Sequence, residues 1–261
     1  MTAANQPEHA VYPSLAGRKI IITGGGSGIG AALVQAFVAQ QAQVFFLDIA
    51  AEASQALVAS LQQAAVPPRF FPCNLMDLDA LRSTFAEIGQ IAGPIDVLIN
   101  NAANDDRHKT EDVSPAYWDE RIAVNLRHQF FCAQAVMPGM RSQQRGVILN
   151  FGSISWRLGL PDLTLYMTAK AGIEGMTRGL ARDLGRDGIR VNAIIPGAIR
   201  TPRQTLLWHT PEEEAKILAA QCLPARVETH HVAALALFLA SDSAAMCTGR
   251  DYHVDGGWLG A

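Results

Sequence analysis

From Lys19 onward, short apolar runs alternate with longer stretches of helical periodicity. Residues 19–23 (KIIIT) form a β-branched run with no polar alternation, the pattern of a strand covered on both faces. Residues 43–48, 69–74, 96–100, 146–151 and 190–195 repeat it, and 251–255 is a last candidate. Between them the pattern predicts helices over 29–40, 51–64, 77–88, 116–140, 165–186 and 230–240. Strand and helix alternating at this spacing imply βαβ units, hence an α/β fold with a parallel sheet flanked by helices on both faces.

No linker or repeat divides the chain, so it reads as one domain over 15–261 behind a loosely ordered segment, 1–14. One stretch, 200–223, follows a strand without entering a covering helix. Inside it, Thr210-Pro211-Glu212-Glu213-Glu214 reads as a cap, a first-turn proline and acidic residues at a positive helix end. A small helix on a loop at the carboxyl edge of the sheet is expected to act as a lid.

Composition narrows the function classes. Of 261 residues 49% are hydrophobic and 17% charged, which excludes an unfolded chain. Twenty-one basic residues against 24 acidic ones leave a net charge of −3 and no surplus for nucleic acid. Cys73, Cys132, Cys222 and Cys247 are far apart, with no C-x-x-C pair for zinc or a disulfide framework, so a reducing, cytoplasmic setting is expected. No apolar stretch reaches the roughly 18 residues of a membrane helix, and residues 1–15 lack the basic and apolar regions of a secretory signal.

Two groups of residues carry chemistry. The first strand runs into Thr23-Gly24-Gly25-Gly26-Ser27-Gly28-Ile29-Gly30 and then a helix. Such glycines make a tight βα turn; between a buried strand and a helix they also let a pyrophosphate approach the helix N-terminus. The next strand ends at Asp48, placed to accept hydrogen bonds from an adenosine ribose or else to cap the following helix. Further on, Tyr166 and Lys170 share a helical face four residues apart, downstream of Ser153 at a strand end. A tyrosine near pKa 10 needs about 3–4 kcal/mol of help to act as a base near neutrality, and a neighbouring ammonium is one source. A solvated surface pair is the alternative.

Together these features resemble the short-chain dehydrogenase/reductase family over nearly the whole chain. Its cofactor loop is met by Thr23, Gly24, Gly28 and Gly30, and its Asn-Asn-Ala-Gly strand end by Asn100-Asn101-Ala102-Ala103, with Ala replacing the last Gly. Its catalytic tetrad matches Asn125, Ser153, Tyr166 and Lys170, and its Pro-Gly turn matches Pro196-Gly197, followed by Ile199 and Thr201. Where many members carry an Asp against adenine, this chain has Asn74 beside Leu75. The resemblance implies a single doubly wound Rossmann domain with strand order 3-2-1-4-5-6 and a seventh strand. It also implies NAD, held by Gly24, Ser27, Gly28, Ile29, Gly30, Asp48, Ile49, Asn74, Leu75, Asn101, Ala102, Ala103, Tyr166, Lys170, Pro196, Gly197, Ile199 and Thr201. A homotetramer or dimer paired through the two longest helices is implied as well.

The passages 104–109, 117–121, 125–128, 151–156, 219–223 and 247–249 resemble the bacterial sugar dehydrogenases of that family. The implied reaction is oxidation of an aldose at C1 to the aldonolactone, with Tyr166 as base, Lys170 beside it, Ser153 on the reacting oxygen and Asn125 holding a water. Another secondary alcohol, or a regulator that keeps the fold without turnover, are the alternatives. For the sugar, Asn104 and Asp106 are the preferred contacts, in a run that is otherwise a solvated rim. Trp156 is a platform for a sugar ring or core filling, and Trp208 and His209 either close over the substrate or pack the lid. His230 and His231 read as capping or surface residues, and no metal site is expected.

Overall fold

The computed structural model describes residues 9–208 and 210–260; residues 1–8, His209 and Ala261 lie outside that set. Seven strands form one parallel sheet: β1 (Lys19–Thr23), β2 (Gln43–Asp48), β3 (Arg69–Pro72), β4 (Val97–Asn100), β5 (Gly146–Phe151), β6 (Ile189–Pro196) and β7 (Asp251–Val254). Their spatial order is β3-β2-β1-β4-β5-β6-β7, as expected. The helices are α1 (Gly28–Ala39), α2 (Ala51–Ser60), α3 (Leu78–Ala92), α4 (Pro115–Ile122), α5 (His128–Gln143), α6 (Ser155–Leu158), α7 (Thr164–Leu184), α8 (Pro202–Leu207), α9 (Pro211–Ala220) and α10 (Thr229–Ala240).

The unbroken isoleucine run of β1 explains the layering. Side chains alternate across a strand, so Ile20 and Ile22 enter one core with Leu33 and Phe37 of α1 and Val232 and Leu237 of α10. Ile21 faces the other way, into a core with Phe85 of α3, Val136 of α5 and Leu180 of α7. Each of these isoleucines is fully buried, which favours folding by roughly 1.5–3 kcal/mol per side chain. The chain builds outward from β1 through β2 to β3, then crosses back to place β4 on the other side of β1. The order reverses between β1 and β4, and the carboxyl ends of these strands are where ligands bind in sheets of this kind.

Several boundaries differ from those expected. The helix expected over 116–140 is two, α4 and α5, joined by a widened π-helical turn over Ala123–Arg127. There the His128 amide donates to the Ala123 carbonyl five residues back. Strand β3 stops at Pro72 rather than residue 74, because the Asn74 side chain accepts the Met76 amide at 3.1 Å and turns the chain. Helix α2 ends at Ser60, not residue 64, while α3 runs on to Ala92 and stops at Gly93, whose φ is +73°. The 200–223 segment holds two helices; α8 begins with Thr201 accepting the Gln204 amide at 3.2 Å and Pro202 in the first turn. In the segment read as a loose lead-in, Gln40 pins the main chain of Ala10 and Tyr12, at 3.1 and 2.7 Å.

Candidate active site

The turn after β1 is shaped for a ligand rather than a side chain. Gly24 has φ +67°, and a Cβ there would lie 2.8 Å from the Ala102 Cα. A Cβ on Gly30 would stand 1.8 Å from the Gly24 carbonyl oxygen, and one on Gly26 only 2.4 Å from the Ser54 hydroxyl. The turn is tied to β4 by Asn101, whose amide donates to the Thr23 and Gly24 carbonyls at 3.0 and 2.9 Å. The Thr23 hydroxyl accepts the Asn101 and Ala102 amides. Ser27 makes no side-chain cap to α1, so the first-turn amides keep their partial positive charge for an anion. Asp48 sits at the end of β2, accepting the Gly26 amide at 2.8 Å and the Ala50 amide at 2.9 Å. The uncapped amides at the start of α1 and the Asp48 carboxylate at the end of β2 fit the phosphate and ribose of a dinucleotide.

The other cofactor candidates lie along the same edge. Thr201 brings its methyl against the Gly28 position, and Gly197 passes so close to Asp255 that a Cβ would sit 2.7 Å from its Cα. Ile49 is 76% exposed beside Asp48, whereas Leu75 and Ile199 are buried and can offer a ligand little beyond main chain. Asn74, exposed, and Ala103, exposed, flank the opening.

Ser153, Tyr166 and Lys170 lie together, Ser153 hydrogen-bonded to Tyr166 and Lys170 against the Tyr166 ring, while Asn125 is tied to the loop after β4. The widened turn lets Asn125, fully buried, reach two ways: its Oδ1 accepts the Asn104 amide at 2.8 Å, and its Nδ2 donates to the Asn104 and Arg121 carbonyls at 3.0 Å each. Lys170 is 1% exposed; its ammonium donates to the Phe151 carbonyl at 2.7 Å and lies 5.3 Å from the centre of the Tyr166 ring. Burial pulls Lys170 down from 10.5 to about 7, with Asp105 opposing. Burial pushes the Tyr166 hydroxyl up from its ordinary 10, Asp105 adds to this, and a hydrogen bond with Ser153 opposes it. The chain by itself therefore holds Tyr166 protonated. His128, on the adjoining turn, is fully buried and driven down to about 4 by burial, with Lys170 adding to the effect.

Three successive residues of the loop after β4 contact the 200–223 segment. Asp105 accepts Gln204 Nε2 at 2.7 Å and faces Arg203 Nε at 3.5 Å; Asp106 accepts Arg203 at 2.7 Å and the buried Arg121 at 3.3 Å; Arg107 stacks 4.4 Å above the Trp208 ring. Of the proposed sugar contacts, Asp106 thus has both oxygens occupied, and Asn104 Oδ1 accepts the Asp106 amide at 2.9 Å. Trp156, on α6, donates to Glu174 at 2.7 Å and lies under Arg157. His231 caps α10 by accepting the Glu228 amide at 2.9 Å, and the lid residue His209 lies outside the described residues. Asp105 belongs to the polar rim run read from sequence, but not as a preferred contact; Gln204 carries no signal of its own, though Thr201-Pro202 carries the same helix-start signal as Thr210-Pro211.

A family model described as enoyl-(acyl carrier protein) reductase matches residues 24–259. The chain is 60% identical over 249 residues to D-xylose 1-dehydrogenase of Caulobacter vibrioides, covering 95% of this chain and 98% of that one. It is 48% identical over 247 residues to a protein named probable galactose dehydrogenase of Rhizobium meliloti, covering 94% and 96%. A short-chain type dehydrogenase/reductase from Mycobacterium ulcerans superposes with a TM-score of 0.89 at 24% identity, over 94% of this chain and 90% of that one, a likeness of fold.

Proposed function

The chain belongs to the short-chain dehydrogenase/reductase family, and on that footing we propose that it oxidises an aldose at C1 to the aldonolactone with NAD. It is an oxidoreductase of CH–OH groups that uses a nicotinamide cofactor. Full-length similarity to sugar dehydrogenases carries the reading, and the grouping of Ser153, Tyr166 and Lys170 supports it. NAD rather than NADP follows from Asp48, whose carboxylate would oppose a 2′-phosphate, and from the absence of any Lys or Arg in residues 24–30.

NAD, held by the turn at residues 24–30 and by Asp48, would supply the acceptor for the C1 hydride and a positive charge near Tyr166. Tyr166 takes the proton of the C1 hydroxyl, and Ser153 hydrogen-bonds the same oxygen and fixes its position. Lys170 sits beneath the Tyr166 ring, stabilises the phenolate and binds the cofactor ribose. Asn125 spends its side chain on Asn104 and Arg121, so holding a water toward Lys170 falls to its main-chain carbonyl. The same reading makes the protein a cytoplasmic homo-oligomer, a tetramer or dimer paired through α5 and α7; Phe130 of α5, 43% exposed, supports such a face.

The test is reduction of NAD and NADP with a panel of D-xylose, L-arabinose, D-galactose and L-fucose, their C1-methyl glycosides, and polyol, 3-hydroxyacyl and steroid alcohols. Free sugars should react, the glycosides should be inert, and a lactone should form first. Turnover of a methyl glycoside, or of a secondary alcohol in place of every sugar, defeats the proposal.

A further inference from the structure

Asp105 stands where its charge is costly to the chemistry. The main chain just before it is clamped on both sides by the catalytic Asn125, so the residue leaves from a fixed point at the cleft. Its carboxylate is then aimed from the lid, with Gln204 on Oδ2 and Arg203 on Oδ1. The resulting anion acts on both Tyr166 and Lys170, and it opposes ionisation of the very hydroxyl that must take up a negative charge. Anchoring the lid does not require it: Asp106, one residue on, already binds Arg203 at 2.7 Å and the buried Arg121 at 3.3 Å.

A carboxylate has about four acceptor positions. The lid fills two of those on Asp105. What remains is an acceptor on a loop that Asn104 ties to Asn125 and His108 ties to the Leu165 amide, next to Tyr166. Of the two groups flanking C1 of a pyranose, the ring oxygen can only accept a hydrogen bond and would repel a carboxylate. The C2 hydroxyl can donate one.

We propose that Asp105 sets substrate specificity by accepting a hydrogen bond from the hydroxyl on the carbon adjacent to the reacting one, C2 of the aldose, while Gln204 and Arg203 hold its carboxylate in place. This rests on the aldose reading. It makes the substrate class 2-hydroxy aldoses, with 2-deoxy sugars rejected because a half-buried charged acceptor, closed off from water by the bound sugar, is then left without its donor.

The experiment compares kcat/KM with NAD for D-xylose and D-galactose and for their 2-deoxy analogues, in the wild type, Asp105→Asn and Asp105→Ala. The wild type should prefer the parent sugars by about 10- to 100-fold, the range of a charge-assisted hydrogen bond. Asp105→Ala should lose nearly all of that preference, through a fall on the parent sugar and little change on the 2-deoxy one. Asp105→Asn, which keeps the shape and one acceptor oxygen, should fall between. Affinity for NAD should stay within a few-fold in both variants, and their circular dichroism should match the wild type. A wild type that treats parent and 2-deoxy sugars alike overturns the proposal without any variant. Wild-type discrimination that survives in Asp105→Ala overturns the assignment to Asp105 and leaves the aldose reading standing. A wild type that reduces NAD with no aldose at all overturns both.

Discussion

Replacing Lys170 by methionine should abolish turnover and at the same time make the protein more stable. Lys170 is 1% exposed, and burial has brought its ammonium from 10.5 down to about 7. At about 1.4 kcal/mol per pH unit, holding that charge in the folded chain at neutral pH costs about 5 kcal/mol. Methionine has similar volume and no charge. Against the gain stands the Phe151 carbonyl, which accepts from Lys170 at 2.7 Å and would lose its donor, at about 1–3 kcal/mol. The net expectation at pH 7 is about 2–4 kcal/mol in favour of the variant, or a rise in Tm of about 5–10 °C for a chain of this size. The sign has a pH signature. Because the folded-state value lies below the unfolded one, the unfolded chain carries the extra proton between about pH 7 and 10.5. Wild-type stability therefore climbs with pH through that window, and at pH 9 its remaining cost is about 2 kcal/mol, close to the lost hydrogen bond. Thermal unfolding followed by circular dichroism at pH 7 and pH 9, without cofactor, reads both. A variant that melts below the wild type at pH 7, or a gap that is equal at both pH values, would refute the reasoning.

Tyr166→Phe keeps the ring above Lys170 and removes only the proton acceptor; kcat should fall about 10³-fold or more, with NAD affinity by fluorescence titration within a few-fold of the wild type, and retained activity would assign the base elsewhere. Gly30→Ala places a methyl carbon 1.8 Å from the Gly24 carbonyl oxygen, so NAD binding should be lost and Tm lowered, an overpacking cost of about 1–3 kcal/mol or more. Gly89→Ala is the control: it lies in α3 with nothing within 4 Å of the new methyl, and should raise stability by about 0.5–1 kcal/mol.

The parts of the molecule legible in the sequence are those whose signal is local. Buried β-branched runs marked the central strands because apolar residues on both faces of a strand have no other use; the βαβ rhythm implied a parallel sheet, and the strand order came only from the family resemblance. The glycine turn was legible because several glycines there sit where a Cβ would strike main chain or a neighbouring side chain. Tyr166 and Lys170 could be paired from helical spacing alone. What escaped depends on distant partners. Nothing in the residues around Asp106 announces that Arg121 and Arg203 will occupy it, and nothing around Trp156 announces Glu174. The contacts of Asp105 with Arg203 and Gln204 join residues 98 and 99 positions apart. The break between α4 and α5 was hidden for a different reason, since a π-helical turn needs no proline or glycine and leaves the apolar rhythm almost intact.

That turn amounts to one residue more than a regular helix would hold, and one residue of α-helix is a rotation of about 100°. The same extra residue that gives Asn125 its reach therefore also decides which side of α5 meets the sheet, the side bearing Cys132, Ala133, Val136 and Met140. Catalytic placement and core packing are here one degree of freedom. A single deletion within Ala123–Arg127 would swing that apolar stripe out of register with the core while it withdrew Asn125. No lineage could trade the site for a straighter helix without repacking α5 in the same step.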